Sequence, residues 1–141
     1  MTEAEVQDLV VLCGKYELEG REILAEYTVG ELTRIFNGIG PASFPSWTRR
    51  TLDALHPSLL PAALIHDVEN ERADGKLSTF TESNARLRRN GMKAAKCAYK
   101  WYDPRRYAAM FSAARYASIC QNFGWEFWVI QHDINNLRKK I

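Results

Sequence analysis

Two segments with apolar residues at helical spacing, separated by a short turn, constrain the fold of this chain most strongly. The spacing predicts one helix over about 59–73 and a second over about 80–102, with Asp74-Gly75-Lys76 ending the first. A connection this short forces consecutive helices to run antiparallel. One stripe of the first helix carries Leu59, Ala62, Ala63, His66, Asn70 and Ala73, and one stripe of the second carries Phe80, Asn84, Leu87, Gly91, Ala94, Ala95, Ala98 and Trp101. We therefore predict a mainly α fold with an antiparallel helical hairpin at its core.

His66 and Asn84 lie on these apolar stripes at similar distances from the turn. His66 is about two helical turns before the connection and Asn84 just over one turn after it, so the two side chains should face each other. The small residues on both stripes permit a close approach of the two backbones. Two interpretations stay open at this point. Either Asn84 only satisfies a buried histidine, as buried polar groups require, or His66 and Asp67 together form a functional site.

Local capping and turn signals predict the elements that flank the hairpin. Residues 15–27 are typical of a short β-hairpin turning at Glu19-Gly20. Two capping boxes are predicted, Thr28 to Glu31 at a short helix ending near Phe36 and Thr79 to Glu82 at the second hairpin helix. Asp103-Pro104 is predicted to start a third long helix reaching about Asn122, and 125–141 has helical composition. We see no repeat or linker, which predicts a single helical domain over 1–141.

Composition and charge narrow the class of protein. The 141 residues are 46% hydrophobic and 26% charged with a net charge of +2, which is typical of a globular chain and does not require a nucleic-acid or membrane partner. No apolar run approaches the roughly 18 residues of a membrane span, so no transmembrane segment is predicted. The three cysteines, Cys13, Cys97 and Cys120, show no zinc-site spacing. We expect a cytoplasmic protein with reduced thiols.

The run Ala62-Ala-Leu-Ile-His66-Asp67, followed by a turn and a second long helix with a polar residue facing the histidine, resembles the core of the phospholipase A-two superfamily. It is also similar to uncharacterised phage and prophage proteins. The resemblance covers roughly residues 37–102. It implies that His66 is the general base that activates water and that Asp67 is a calcium ligand. It further implies that Asn84 takes the position that orients the histidine, and that Gly38 and Gly40 belong to a loop whose carbonyl oxygens bind calcium.

The chain departs from that family at several of these positions. The family usually has a tyrosine four residues after the histidine, where this chain has Asn70, and an aspartate where it has Asn84. The loop Asn37-Gly-Ile-Gly-Pro41 lacks the family's cysteine and third glycine, and a predicted short helix from Pro45 to about Leu55 separates it from His66.

Three functions follow as hypotheses. The first is a phage-like binding or structural module with weak or no catalysis, for which no cofactor is expected although calcium is possible. The second is a calcium-dependent esterase or phospholipase that uses His66 as its base. The third is a basic nucleic-acid-binding module.

Two surfaces suggest partners. The face of the second hairpin helix that carries Arg86, Arg88, Arg89, Lys93, Lys96 and Lys100 is predicted to face water. It has no helix-turn-helix spacing or stacking motif, so a nucleic-acid partner is not predicted. Phe123, Trp125, Phe127 and Trp128 exceed what one helix stripe can bury. This Phe123–Trp128 cluster either packs over the hairpin or forms a surface for self-association or a protein partner.

Overall fold

Helices dominate the part of the chain that the computed structural model describes, residues 1–36 and 56–140. Six α-helices lie within these ranges: α1 (Glu3–Lys15), α2 (Val29–Phe36), α3 (Leu60–Glu71), α4 (Leu77–Ala98), α5 (Pro104–Phe123) and α6 (Trp125–Lys139). Short 3-10 helices span Arg21–Glu26 and Pro57–Leu59. No strand occurs within the described ranges. The prediction of a mainly α fold is confirmed.

The predicted hairpin is formed by α3 and α4. Leu59 lies beside Gly91 at one end of the pair and His66 beside Asn84 nearer the turn, so the two helices run antiparallel. The turn places Gly75 at φ +76°, a conformation that favours glycine. The observed helices differ from the predicted ranges of 59–73 and 80–102 by a few residues at each end.

The capping box predicted at Thr79 is wrong, because α4 starts earlier, at Leu77. The carboxylate of Asp74 accepts hydrogen bonds from the backbone N–H of Lys76, at 2.9 Å, and from the Thr79 hydroxyl, at 2.7 Å. Asp74 therefore stabilises the start of the helix from the turn, and the Thr79 hydroxyl is used inside the first turn of α4 rather than as its cap.

The third long helix, α5, packs closely on α4. Asp103 caps it by accepting a hydrogen bond from the backbone N–H of Arg105 at 3.0 Å, and Pro104 occupies its first turn, as predicted. A Cβ atom added at Gly91 would lie only 2.6 Å from the Cβ of Ala113. Ala109, Ala113 and Ala117 are all buried on α5. The glycine and this alanine stripe therefore set the distance between the two helices.

The β-hairpin predicted over residues 15–27 is wrong. Helix α1 runs to Lys15, and a 3-10 helix forms at Arg21–Glu26. The predicted turn glycine, Gly20, does adopt a left-handed conformation, with φ +82°. Asn90 of α4 accepts a hydrogen bond from the backbone N–H of Glu19 at 2.8 Å and donates one to its carbonyl oxygen at 2.9 Å. The backbone groups that a strand partner would use at Glu19 are thus taken by a helix side chain.

Helix α1 was not predicted, although a capping box marks its start. The Thr2 hydroxyl accepts a hydrogen bond from the backbone N–H of Glu5 at 3.2 Å, and the Glu5 carboxylate accepts one from the backbone N–H of Thr2 at 3.1 Å. The same reciprocal pair forms between Thr28 and Glu31, which confirms the capping box predicted for α2.

Two apolar clusters position these elements. The larger one joins α1, α2, α3 and the facing sides of α4 and α5, and its most buried side chains include Val6, Leu18, Leu32, Leu64, Ile65 and Val68. The smaller one consists of Ala73, Phe80 and Trp128, with Trp125 against it. Across the described ranges, no helix combines the length and the apolar character that crossing a membrane requires.

Candidate functional site

The predicted contact between His66 and Asn84 is confirmed. The Nε2 atom of His66 lies 2.9 Å from the Oδ1 atom of Asn84, across the facing sides of α3 and α4. Both residues are buried, with 4% and 3% of their surface exposed. The structure therefore brings together the two polar residues that the helical spacing paired, in a place from which bulk water is largely excluded.

The hydrogen bonds of Asn84 define the protonation of the histidine ring. The Asn84 amide donates from Nδ2 to the Oε1 atom of Gln121 at 2.8 Å, and the Nε2 atom of Gln121 donates to the Thr81 hydroxyl at 3.4 Å. Because the Asn84 NH₂ group points to Gln121, its Oδ1 atom faces the ring and can only accept. His66 is therefore protonated on Nε2, which leaves Nδ1 as the basic nitrogen. The Nδ2 atom of Asn70 lies 3.4 Å from that Nδ1 atom.

The surroundings of His66 favour its neutral form. Burial lowers the pKa of His66 from its ordinary value of 6.5 to about 4, and the hydrogen bond to Asn84 opposes this only in part. The ring of Tyr116 packs edge-on against the imidazole, with the centroids 6.4 Å apart. At neutral pH the histidine is thus an uncharged core residue.

Asp67 lies beside the pair, half-buried, on the side of α3 that faces α5. Burial raises the pKa of Asp67 from 3.8 to about 8. Its electrostatic neighbours on α5, Tyr116 and Cys120, provide no positive charge. Burial raises the pKa of Tyr116 well above 10 and that of Cys120 to about 12, and in both cases Asp67 adds to the increase. The Asp67 carboxyl group is therefore mostly protonated at pH 7.

Asp67 should make the protein less stable as the pH rises. Between pH 4 and pH 8 the folded state keeps the Asp67 proton and the unfolded state releases it, so the free energy of unfolding falls as the pH increases. His66 acts in the opposite direction mainly below its ordinary pKa of 6.5, and the raised pKa values of Cys13 and Cys120 add to the decrease only near the upper limit, so Asp67 dominates the change between pH 6.5 and 8.5. We expect the wild type to lose about 1 kcal/mol across that window, after allowance for the partial exposure of Asp67.

Urea denaturation of Asp67→Asn at both pH values measures this loss. The stability of Asp67→Asn should change little between the two pH values. Asp133→Asn, which changes an exposed carboxylate on α6, should show the same decrease as the wild type. Equal pH dependence in the wild type and Asp67→Asn would show that the carboxyl group is not protonated in the folded protein at pH 6.5.

The predicted calcium site is only partly within the described residues. Gly38 and Gly40, the loop Asn37–Pro41 and the short helix predicted from Pro45 to Leu55 all lie outside them. In residues 1–36 and 56–140 no group of three or more histidine, cysteine, aspartate or glutamate side chains converges on a point where a metal could bind. The one predicted side-chain ligand, Asp67, does not fit calcium well, because a cation would first have to displace its proton. The calcium ligands remain a prediction.

The basic face of α4 is more strongly paired than its sequence indicates. Arg86 forms ion pairs with Glu69 at 2.9 Å and with Glu82 at 3.7 Å. Arg89 bridges Glu82 at 2.6 Å and Glu19 at 2.8 Å. Two of the six basic residues are therefore neutralised by acidic residues. Of these acidic residues, Glu19 and Glu69 come from other segments of the chain, which the helical spacing of α4 does not reveal.

The Phe123–Trp128 cluster is partly a core element. Trp128 is buried, and the ring centroids of Trp128 and Trp125 lie 5.7 Å and 5.4 Å from that of Phe80. Phe123 is 61% exposed. Trp125 and Trp128 therefore pack over the turn end of the α3–α4 hairpin, where Phe80 lies in the first turn of α4. The binding of a partner through Phe123 stays a prediction.

Comparison with protein-family models, with curated proteins and with solved structures finds no match to this chain. The resemblance to the phospholipase A-two superfamily therefore depends on the His66–Asp67 motif and on the residues that face it.

Sequence reasoning missed the outer part of the site. Gln121 and Thr81 continue the hydrogen-bond chain from Asn84, and Tyr116 and Cys120 surround Asp67. One signal was available for Gln121, because a buried asparagine bonded to a histidine through its oxygen needs an acceptor for its NH₂ group. The choice of that acceptor depends on the packing of α5 against α4, which the sequence does not specify.

Proposed function

We propose that this protein is a small helical binding or structural module on a phospholipase-like frame, similar to phage and prophage proteins, with weak or no catalysis of its own. The observation that carries the proposal is the hydrogen bond between His66 and the neutral side chain of Asn84 in a buried environment. In the enzymes that the motif resembles, a carboxylate holds this position. An amide can hold the ring but supplies no negative charge.

The basicity of the ring supports the same role. A general base works best when its pKa lies near the pH at which it operates, and burial holds the pKa of His66 at about 4. Its basic nitrogen, Nδ1, also has the Asn70 amide as a neighbour at 3.4 Å, on the side where an attacking water would have to bind. Both features suit a histidine that completes a core better than one that removes a proton from water.

The alternative, a calcium-dependent esterase, requires a metal beside His66. We expect calorimetry at pH 7 to detect no calcium binding tighter than about 100 µM, a limit between the affinities of sensor and extracellular sites. The reason is that Asp67 is mostly protonated and calcium prefers 6–8 oxygen ligands.

Two aspartate variants make the titration decisive. Tighter calcium binding that is lost in Asp67→Ala and retained in Asp133→Ala would favour the esterase over the binding module. Binding that both variants retain would place calcium elsewhere on the molecule and would leave His66 without a metal.

A further inference from the structure

Charge is distributed unevenly along the chain. Residues 83–124 contain nine basic side chains and one acidic side chain, Asp103, whereas residues 1–82 contain fourteen acidic and seven basic ones. The basic region corresponds to most of α4, to α5 and to their connection. The nine are Arg86, Arg88, Arg89, Lys93, Lys96, Lys100, Arg105, Arg106 and Arg115. A small net charge for the whole protein therefore conceals a strongly positive region.

Several of these cations have no acidic partner in the described part of the chain. Arg86, Arg89 and Arg105 form ion pairs with glutamate or aspartate. The exposed cations Arg88, Lys96, Lys100 and Arg115 form none within 4.0 Å among the described residues. They remain available to an anionic ligand.

Exposed aromatic rings occur in the same stretch of the chain as these cations. Trp101 and Phe111 are 72% and 70% exposed, and Tyr102 and Tyr107 are also exposed. The Tyr107 hydroxyl donates to the carbonyl oxygen of Trp101 at 2.6 Å, and the rings of Trp101 and Tyr102 meet edge to face at 5.7 Å. The Lys100 ammonium lies 5.8 Å from the Tyr102 ring centre.

Helical spacing continues this arrangement along α5. Tyr107, Phe111 and Arg115 follow one another at intervals of four residues and so share one face of the helix. Two rings and a cation are thereby presented in a row that starts at the aromatic connection between α4 and α5.

We propose that this surface binds single-stranded nucleic acid. The α4–α5 surface, as we call it, consists of Arg88, Lys96, Lys100, Trp101, Tyr102, Tyr107, Phe111 and Arg115. Proteins bind single strands by combining cations that contact phosphates with aromatic rings on which bases stack. This inference rests on the binding role proposed above and names single-stranded nucleic acid as the ligand of the module. Catalysis at His66 is not required.

The composition of the surface favours bases over lipid. Between residues 83 and 122 every large hydrophobic side chain that is well exposed is aromatic, with no exposed leucine, isoleucine or valine among them. A helix that enters a membrane interface normally presents aliphatic residues as well. The sequence alone does not predict a nucleic-acid partner, because it contains no stacking motif. The structure adds exposed aromatic rings on which bases could stack.

Fluorescence anisotropy with a labelled 20-nucleotide oligo-dT tests the proposal on the full chain. Binding should be measurable in the micromolar range at 50 mM salt. It should weaken with salt with a slope in log K of about −3, as four phosphate contacts to a single strand would give. An oligo-U of equal length should bind similarly, because stacking and phosphate contacts are shared by DNA and RNA. A 20-base-pair duplex, whose bases are already stacked, and vesicles containing phosphatidylserine should bind more weakly.

Three double variants assign the binding to the surface. Trp101→Ala with Phe111→Ala should weaken oligo-dT binding about tenfold or more with an unchanged salt slope. Arg88→Glu with Lys96→Glu should weaken it and also reduce the slope. Lys76→Glu with Lys140→Glu, the same charge change at exposed positions outside the surface, should remain within about threefold of wild type at the same salt.

Other outcomes overturn the proposal. The proposal is wrong if oligo-dT binds no tighter than about 100 µM at 50 mM salt. It is also wrong if the duplex or the vesicles bind more tightly than the single strand, or if the aromatic variant binds with wild-type affinity. The hydrolysis and calcium measurements on the His66 site do not depend on these results, so failure of the ligand assignment and failure of the proposed function are distinguishable.

Discussion

Purified wild-type protein is expected to hydrolyse phospholipid esters no faster than its His66→Ala variant, with or without calcium. A histidine that removes a proton from water becomes an imidazolium, and a neighbouring carboxylate stabilises that charge. In this chain Asn84 provides a neutral oxygen at 2.9 Å instead. In the serine-protease triad, an unrelated fold, replacing the aspartate by asparagine lowers turnover by about ten-thousandfold, which indicates the size of the deficit.

A second deficit adds to the first. The oxyanion formed during ester hydrolysis needs hydrogen-bond donors or a cation placed in advance. Asp67, the predicted calcium ligand, carries a proton at neutral pH because burial raises its pKa to about 8. The two deficits concern different steps of charge stabilisation, so we expect their effects to multiply.

An Asn84→Asp variant separates a degenerate site from an absent one. The assay uses short-chain and micellar phospholipids with and without calcium, and compares wild type, His66→Ala and Asn84→Asp. Activity that appears only in Asn84→Asp would indicate that the helical frame is competent and lacks a carboxylate. Robust turnover by the wild type that His66→Ala abolishes would refute the proposed function.

A single methyl group added at Gly91 is expected to destabilise the protein strongly. An alanine Cβ there would lie 2.6 Å from the Cβ of buried Ala113, a distance that requires α4 and α5 to move apart. Overpacking of this kind commonly costs about 1–3 kcal/mol, whereas replacing glycine by alanine within a helix gains up to about 1 kcal/mol. We expect Gly91→Ala to lower the free energy of unfolding by about 2 kcal/mol, because an overpacking cost of about 3 kcal/mol against a buried methyl group is offset by about 1 kcal/mol of helix propensity.

Two further variants separate the effect of helix propensity from the effect of overpacking. Gly14→Ala, in α1, adds a Cβ that meets no atom within 4 Å outside its own helical turn, and it should raise the free energy of unfolding by roughly 0.5–1 kcal/mol. Ala113→Gly in the Gly91→Ala background removes the opposing methyl group and should recover part of the loss as a coupling energy. Urea denaturation of these three variants, of Ala113→Gly alone and of the wild type completes the double-mutant cycle. A stabilised Gly91→Ala would mean that α4 and α5 do not approach as closely as the structure indicates.

The helical hairpin and the His66–Asn84 contact could be predicted because both depend on local periodicity. Once two helices are joined by a short turn, spacing along the chain determines which residues face each other. The capping signals at Thr28 and Asp103 succeeded for the same reason, since a cap involves only the next few residues.

Most of the failures involve contacts between distant segments. Residues 15–27 resemble a β-hairpin locally, but Asn90, 71 residues beyond Glu19, occupies its backbone groups. Glu19 and Glu69 neutralise arginines of α4 that the sequence pattern assigns to a face turned toward water. Asn90 is buried because it bonds to the backbone of Glu19. The periodicity of α4 alone does not show this, since it does not place the first 36 residues against the helix.

The most direct test of the central claim, that His66 is a neutral core residue bonded to Asn84, is an NMR titration of the ¹⁵N-labelled imidazole. We predict the Nε2-protonated tautomer at neutral pH and no imidazolium until the pH approaches about 4, because burial lowers the pKa and Asn84 fixes the proton. In Asn84→Asp the pKa should rise. A wild-type His66 that titrates at pH 6.5 or above, or that carries its proton on Nδ1, would contradict the account.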